Sequence, residues 1–140
     1  MASKVFLDAN ILLDFTLKRN KYEQSKQIIK LAINGDIQVY ISPSILHIVG
    51  YWLSKSYGNT KAKGILLTLL SDVTIIDLPH EVVLTALHSK ISDIEDALQY
   101  YTAIHYKLDY FISRDKLLQK QSIPVLPVYT PDEFLNEFKK

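Results

Sequence analysis

Three aspartates, Asp8, Asp96 and Asp115, each stand where an apolar run stops or a helix begins. Carboxylates brought together at the edge of a buried sheet repel one another, and they are tolerated there chiefly when a cation neutralises them. Oxygen donors of this kind suit a hard divalent ion, Mg²⁺ or Mn²⁺, and such an ion points to phosphate chemistry.

Each motif also has a structural reading. Asp8-Ala9-Asn10 follows a hydrophobic run, and aspartate is a preferred helix N-cap. Asp93-Ile94-Glu95-Asp96 crowds three acids into one helical turn, where each complements the helix dipole by about 0.3–1 kcal/mol. Ser113-Arg114-Asp115 reads as a strand exit. Taken together, in this order, one shared site accounts for all three better than three separate caps.

The elements that must position these residues follow from periodicity. Residues 4–8 read as a short buried strand and residues 9–17 as a helix. A second helix fits residues 22–33, closed by Asn34-Gly35-Asp36. Residues 37–41 form a strand of β-branched and aromatic character. Ser42 caps a third helix with Pro43 in its first turn, running to about residue 56. Residues 59–70 give a fourth helix, residues 73–78 a third strand, and Pro79 opens a helix to about residue 88. Ser92 or Asp93 caps a long helix reaching residue 107. A fourth strand spans residues 110–113, a helical turn residues 116–121, and a candidate edge strand residues 124–128. Thr130-Pro131-Asp132-Glu133 caps a last amphipathic helix to residue 138. Strands alternating with helices imply a parallel sheet covered on both faces. Ligands of such sheets gather beyond the carboxyl ends of the strands. Asp8 and Asp115 fall at carboxyl ends, and Asp96 lies in the first turn of the long helix.

The bulk numbers exclude several alternatives. At 140 residues, 48% hydrophobic and 22% charged, the chain is sized for one globular domain, residues 1–140. No apolar run approaches the roughly 18–20 residues of a membrane span. Met1-Ala2-Ser3-Lys4 leads straight into a strand-like run, without a signal-peptide pattern. Cysteine is absent, which excludes disulfides, thiolate catalysis and cysteine-type zinc sites. The cytoplasm is the expected location. A net charge of +1 gives no global basic field, although Lys18-Arg19-Asn20-Lys21 and Lys55, Lys61 and Lys63 gather locally.

With these segments in view, the chain resembles the PIN-domain family, metal-dependent ribonucleases that include many VapC-like toxins of bacterial toxin–antitoxin pairs. The resemblance covers essentially the whole chain. It rests on Val5-Phe6-Leu7-Asp8-Ala9-Asn10-Ile11-Leu12-Leu13-Asp14, on Ile41-Ser42-Pro43 and on Asp93-Ile94-Glu95-Asp96-Ala97. Ile112-Ser113-Arg114-Asp115 completes it. The resemblance implies a three-layer α/β/α fold around a central, mainly parallel sheet of four to five strands. It implies Asp8, Asp96 and Asp115 as catalytic metal ligands for Mg²⁺ or Mn²⁺, with Asn10 orienting Asp8 or contacting the scissile phosphate. Ser113 would line the site. Asp93 and Glu95 would be outer or second-metal groups, Asp93 the better placed because residues i and i+3 share a helix face. Arg114 would either attract RNA phosphate or turn away to pair with an acid. The implied partners are RNA, a cognate antitoxin protein and a second copy as a homodimer. Tyr51, Trp52 and residues 66–70 would supply a patch for that pairing or belong to the core. No membrane is implied.

One departure stands out. The family pattern places a glutamate early in the third helix, roughly where Leu46-His47-Ile48 stand, and no acid occurs between Ile41 and Leu70. His47 would donate a nitrogen or touch phosphate, or simply sit on the helix surface. The closest rival reading is therefore a PIN fold that binds RNA or protein without cutting. The Asp8-x-Asn10 start is also similar to haloacid-dehalogenase-like phosphatases, but Asn10 cannot act as the general acid they need. A response-regulator receiver would need paired acids after the first strand.

Overall fold

The computed structural model describes residues 2–139. Met1 and Lys140, the ends of the expected domain, lie outside it. Along the chain run β1 (Ser3–Leu7), α1 (Ala9–Thr16), α2 (Tyr22–Ile33), β2 (Ile37–Ile41), α3 (Pro43–Tyr57), α4 (Asn59–Leu69) and β3 (Val73–Ile75). There follow α5 (His80–Leu87), α6 (Ile94–His105), β4 (Tyr110–Ile112), α7 (Lys116–Gln121), β5 (Val128–Tyr129) and α8 (Pro131–Lys139). The sheet is wholly parallel, in the order β3-β2-β1-β4-β5. Helices cover it in a three-layer α/β/α arrangement.

β1 is central, so both of its faces are covered, and Val5, Phe6 and Leu7 are completely buried. That is why the strand reads as an unbroken apolar run rather than an alternating one. Val5 pairs with Val39 on one side and Tyr110 on the other, and Phe6 stacks on Phe111 with ring centroids 4.9 Å apart. From β1 the chain builds outward through β2 and β3, then returns to add β4 on the opposite side of β1. The reversal opens a crevice beyond the carboxyl ends of β1 and β4, the usual ligand position in such sheets. Asp8 and Asp115 leave from those two strands.

The edge strand expected at residues 124–128 is confined to Val128–Tyr129. Pro124 and Pro127 carry no N–H to offer a ladder. The buried Tyr100 hydroxyl on α6 holds the segment instead, donating to the Leu126 carbonyl (2.6 Å) and accepting from the Ile123 N–H (2.9 Å). The third strand also ends early, at Ile75. No helix of the described residues is long and apolar enough to cross a membrane. Tyr51, Trp52 and Leu67 are exposed, whereas Leu69 is buried in the core.

Two helices end in an unusual way. Lys18 after α1 and Lys107 after α6 have φ of 52° and 58°, in the left-handed region that favours glycine. Both close Schellman motifs. Arg19 N–H reaches the Asp14 carbonyl at 3.0 Å, and Leu108 N–H reaches that of Ala103 at 3.0 Å. α6 therefore stops at His105, short of residue 107. Lys107→Gly is expected to stabilise the chain by about 0.5–1 kcal/mol, read as a higher urea midpoint at unchanged slope.

Candidate active site

Asp8 is the N-cap of α1, its Oδ1 accepting the Ala9 N–H at 2.7 Å. Its Oδ2 accepts a 2.9 Å hydrogen bond from the buried Ser113 hydroxyl at the end of β4. The same hydroxyl oxygen accepts the Asp115 N–H at 3.1 Å, so Ser113 ties the two strand ends together. Asp115 caps α7, its Oδ1 accepting from Leu117 and Leu118 N–H. Asp96 projects from the first turn of α6, behind the cap supplied by Asp93. Asp8, Asn10, Arg19, Glu95, Asp96, Arg114 and Asp115 line one open cavity of about 450 Å³. A larger, apolar cavity of about 570 Å³ between α1, α2 and α4 carries only Lys61 and Asp72 as charges.

Negative charge is in excess in the acidic cavity. The Asp96 carboxyl is pushed up to about 7, first by desolvation, then by the Asp93 charge, a hydrogen bond with Asp115, and the charges of Asp115 and Asp8. Burial also raises Asp8, opposed by the Ser113 and Ala9 hydrogen bonds. Glu95 is raised by burial and by the charges of Asp8 and Asp93.

These shifts set a pH dependence. A carboxyl that holds its proton more tightly when folded loses stability as the pH rises from its unfolded value toward its folded one. For Asp96 that window runs from about 4 to about 7. Without divalent ions, the unfolding midpoint is expected to fall across it. Mn²⁺ is expected to oppose the slope, and Asp96→Asn to leave only the part due to Asp8 and Glu95. An Asp96→Asn midpoint that tracks the parent's over this range would count against the assignment.

The structure brings Asp8, Asp96, Asp115, Asn10, Glu95 and Arg114 to the cavity, with Ser113 beneath it. It does not bring Asp93 or His47 there. Asp93 Oδ2 is occupied as the α6 cap, accepting the Asp96 N–H at 2.9 Å, so Glu95 rather than Asp93 faces the cavity. His47 is exposed and lines a separate cleft between α3 and α4, because Ile45, Val49 and Leu53 form the buried stripe of α3. α3 contributes no acid to the cavity, and the cap residue at its start is tied to α6 by a neutral pair. Ser42, at the end of β2, donates to Gln99 Oε1, one turn past Asp96 on α6.

Two residues were missed. Asp14 of α1 is only 4% exposed and makes the two ion pairs found among the described residues, one with Arg19 (2.9 Å) and one with Arg114. Arg19 also donates to Asn10 Oδ1 at 3.2 Å. Arg114 pairs with an acid, as one of its two expected roles required, and it also lines the cavity. A charged residue inside the apolar run Ile11-Leu12-Leu13-Asp14-Phe15 was the available signal.

Among the described residues, no three histidine, aspartate or glutamate side chains are already gathered tightly enough to hold a metal ion. The donor set nonetheless suits one. It is all oxygen, and burial and mutual repulsion raise the Asp96 and Asp8 carboxyls, a repulsion that a hard cation would relieve.

A family model described as a PIN domain matches residues 4–117. No curated protein matches the sequence. Among solved structures, a toxin–antitoxin complex from Klebsiella pneumoniae is 25% identical with a TM-score of 0.66, over 91% of this chain and 97% of that one. VapBC2 from Rickettsia felis, bound to a DNA fragment from its promoter, is 21% identical with a TM-score of 0.65, over 89% and 96%. VapC20 of Mycobacterium tuberculosis, a sarcin–ricin-loop-cleaving toxin, is 13% identical with a TM-score of 0.66, over 88% and 98%. At those lower identities the last two bear on the fold alone.

Proposed function

This chain belongs to the PIN-domain family, and on that premise we propose that it is a divalent-metal-dependent endoribonuclease acting as the toxin of a toxin–antitoxin pair. The observation that carries the proposal is the meeting of Asp8, Asp96 and Asp115 in one cavity at the point where the strand order reverses. Asp8, Asp96 and Asp115 would hold Mg²⁺ or Mn²⁺, with Glu95 beside them. The ion would polarise a phosphoryl oxygen and make a bound water more acidic.

The chain's own groups have distinct parts in this reading. Asp96, one of the acids that would hold the ion, would also orient the attacking water. Ser113 fixes the Asp8 carboxylate in one rotamer and so fixes where the scissile phosphate sits. Asn10, tied to Arg19, borders the entry. The similarity to toxin–antitoxin complexes supports a protein antitoxin as partner. The exposed Tyr51, Trp52 and Leu67 would serve a homodimer.

A second reading, binding without cleavage, is favoured by the absence of any acid along α3. Incubation of purified protein with total RNA separates the two. Cleavage is expected with Mn²⁺, none with EDTA, and at least a hundred-fold loss in Asp8→Ala. RNA retained intact by the parent in Mn²⁺ would establish the binding module instead.

A further inference from the structure

We propose that buried Asp14 and the two guanidinium groups it holds form a phosphate grip beside the acidic cavity, leading the RNA strand away from the scissile bond toward Lys21 and Lys116. The proposal rests on the nuclease reading and adds to it a direction for the substrate.

Asp14 is almost fully buried, yet both of its oxygens are spent on arginines that lie at the cavity wall. A carboxylate so placed fixes two planar cations in one orientation, and that is the geometry by which guanidinium recognises phosphate. The local backbone enforces it. The Schellman turn at Lys18 folds Arg19 back over Asp14, its N–H on the Asp14 carbonyl and its Nε on the Asp14 carboxylate at 2.9 Å. Arg114 arrives from the far end of the chain, directly after β4. Its Nη2 meets neither solvent nor any acceptor among the described residues, so it retains a donor without a partner.

Arg114 is also a partition wall. On its other side is a second cavity, of about 290 Å³, lined by Lys21, Lys116, Thr130 and Asp132 among others, at the N-terminus of α8. Neither lysine makes an ion pair among the described residues. A path of positive groups therefore leaves the acidic cavity in one direction, past Arg114, and Asp132 alone opposes it among the acids lining that cleft. A net charge of +1 gives the molecule no general attraction for a polyanion, so affinity has to come from a local path of this kind.

The test is fluorescence anisotropy of a 5′-labelled oligouridine on the full chain, in EDTA to stop cleavage, over about 50–300 mM salt. For a single strand, each phosphate that the protein ceases to neutralise should flatten the slope of log affinity against log salt by about 0.7. Arg114→Gln should lose about one such step and Lys21→Ala with Lys116→Ala about two. Arg114→Lys, which keeps the charge without the planar fork, should not restore parental affinity. Asp14→Asn adds one positive unit, so simple charge attraction predicts tighter binding and the grip predicts weaker.

Slopes equal to the parent's in the Arg114→Gln and double-lysine variants would overturn the grip and assign the arginines to another anion, such as the carboxylates of a protein partner. Cleavage by Asp8→Ala under Mn²⁺ reports separately on the nuclease reading. If that variant is inactive while the slopes are unchanged, the grip alone fails.

Discussion

Asp96→Asn is expected to lower RNA cleavage on the order of 10³-fold, about 4 kcal/mol of transition-state stabilisation, while the folded chain becomes no less stable. The expectation follows from what each acid of the cavity is already doing. Asp8 and Asp115 each give an oxygen to a helix cap and so have structural work besides any chemistry. Asp96 caps nothing, shares a hydrogen bond with Asp115 and carries a carboxyl raised to about 7. Asparagine keeps its shape and removes its charge, which relieves repulsion from Asp93, Asp115 and Asp8. Activity and stability should therefore move in opposite directions, as they do where an active site stores repulsion. Single-turnover cleavage in Mn²⁺ beside urea unfolding measures both. A variant that cuts within tenfold of the parent would remove Asp96 from the mechanism, and one that unfolds more easily would show that it serves the fold.

The pairing of an acidic cavity with a missing α3 acid bears on the ion. Without an acid from α3, the three aspartates are one fixed charge short of the family pattern, and Glu95 is the nearby acid that lines the same cavity. In the structure two of the three are engaged as caps, and the third shares a hydrogen bond with one of them. An ion binding here competes with protons as well as with water, so its affinity should rise with pH over the range in which Asp96 loses its proton. A substrate phosphate would complete the coordination and so tighten it.

Much of the frame was legible because it is written in local chemistry. β1, α2, β2 and the start of α3 read correctly from apolar periodicity, the Asn34-Gly35 turn and the Ser42-Pro43 cap, each decided within a few residues. The Asp8 and Asp115 positions were legible for the same reason, since a strand end and a helix start coincide at each. What failed depended on partners far away or on bond direction. The edge strand shrank because the hydroxyl of Tyr100, more than twenty residues upstream, holds the loop that precedes β5. Asp93 looked better placed than Glu95 because helix phase ignores the inward turn of an N-cap carboxylate onto its own backbone. His47 could have been placed by phase alone, two residues out of step with Ile45 and Val49. The Asp14–Arg114 pair spans one hundred positions, and no local pattern joins its halves.

Asp14→Ala is expected to destabilise the fold by about 3 kcal/mol, a fall of roughly 10 °C in Tm for a chain of this size. The carboxylate side chain is only 6% exposed, and its removal leaves the Arg114 guanidinium, 30% exposed, without a counter-ion. The more exposed Arg19 contributes little, since solvent screens that pair. Most of the loss is thus the stranded charge of Arg114 rather than the attraction itself. Replacing both partners, Asp14→Leu with Arg114→Met, should recover most of the stability, because an apolar pair of similar volume has no charge to strand. The same double variant should not recover RNA affinity, since the cation that faces phosphate is gone. Stability restored without binding would show that the buried ion pair is held for what Arg114 does at the cavity. Asp14→Ala unfolding within about 0.5 kcal/mol of the parent, or a double variant as unstable as the single, would show that the two charges are not coupled.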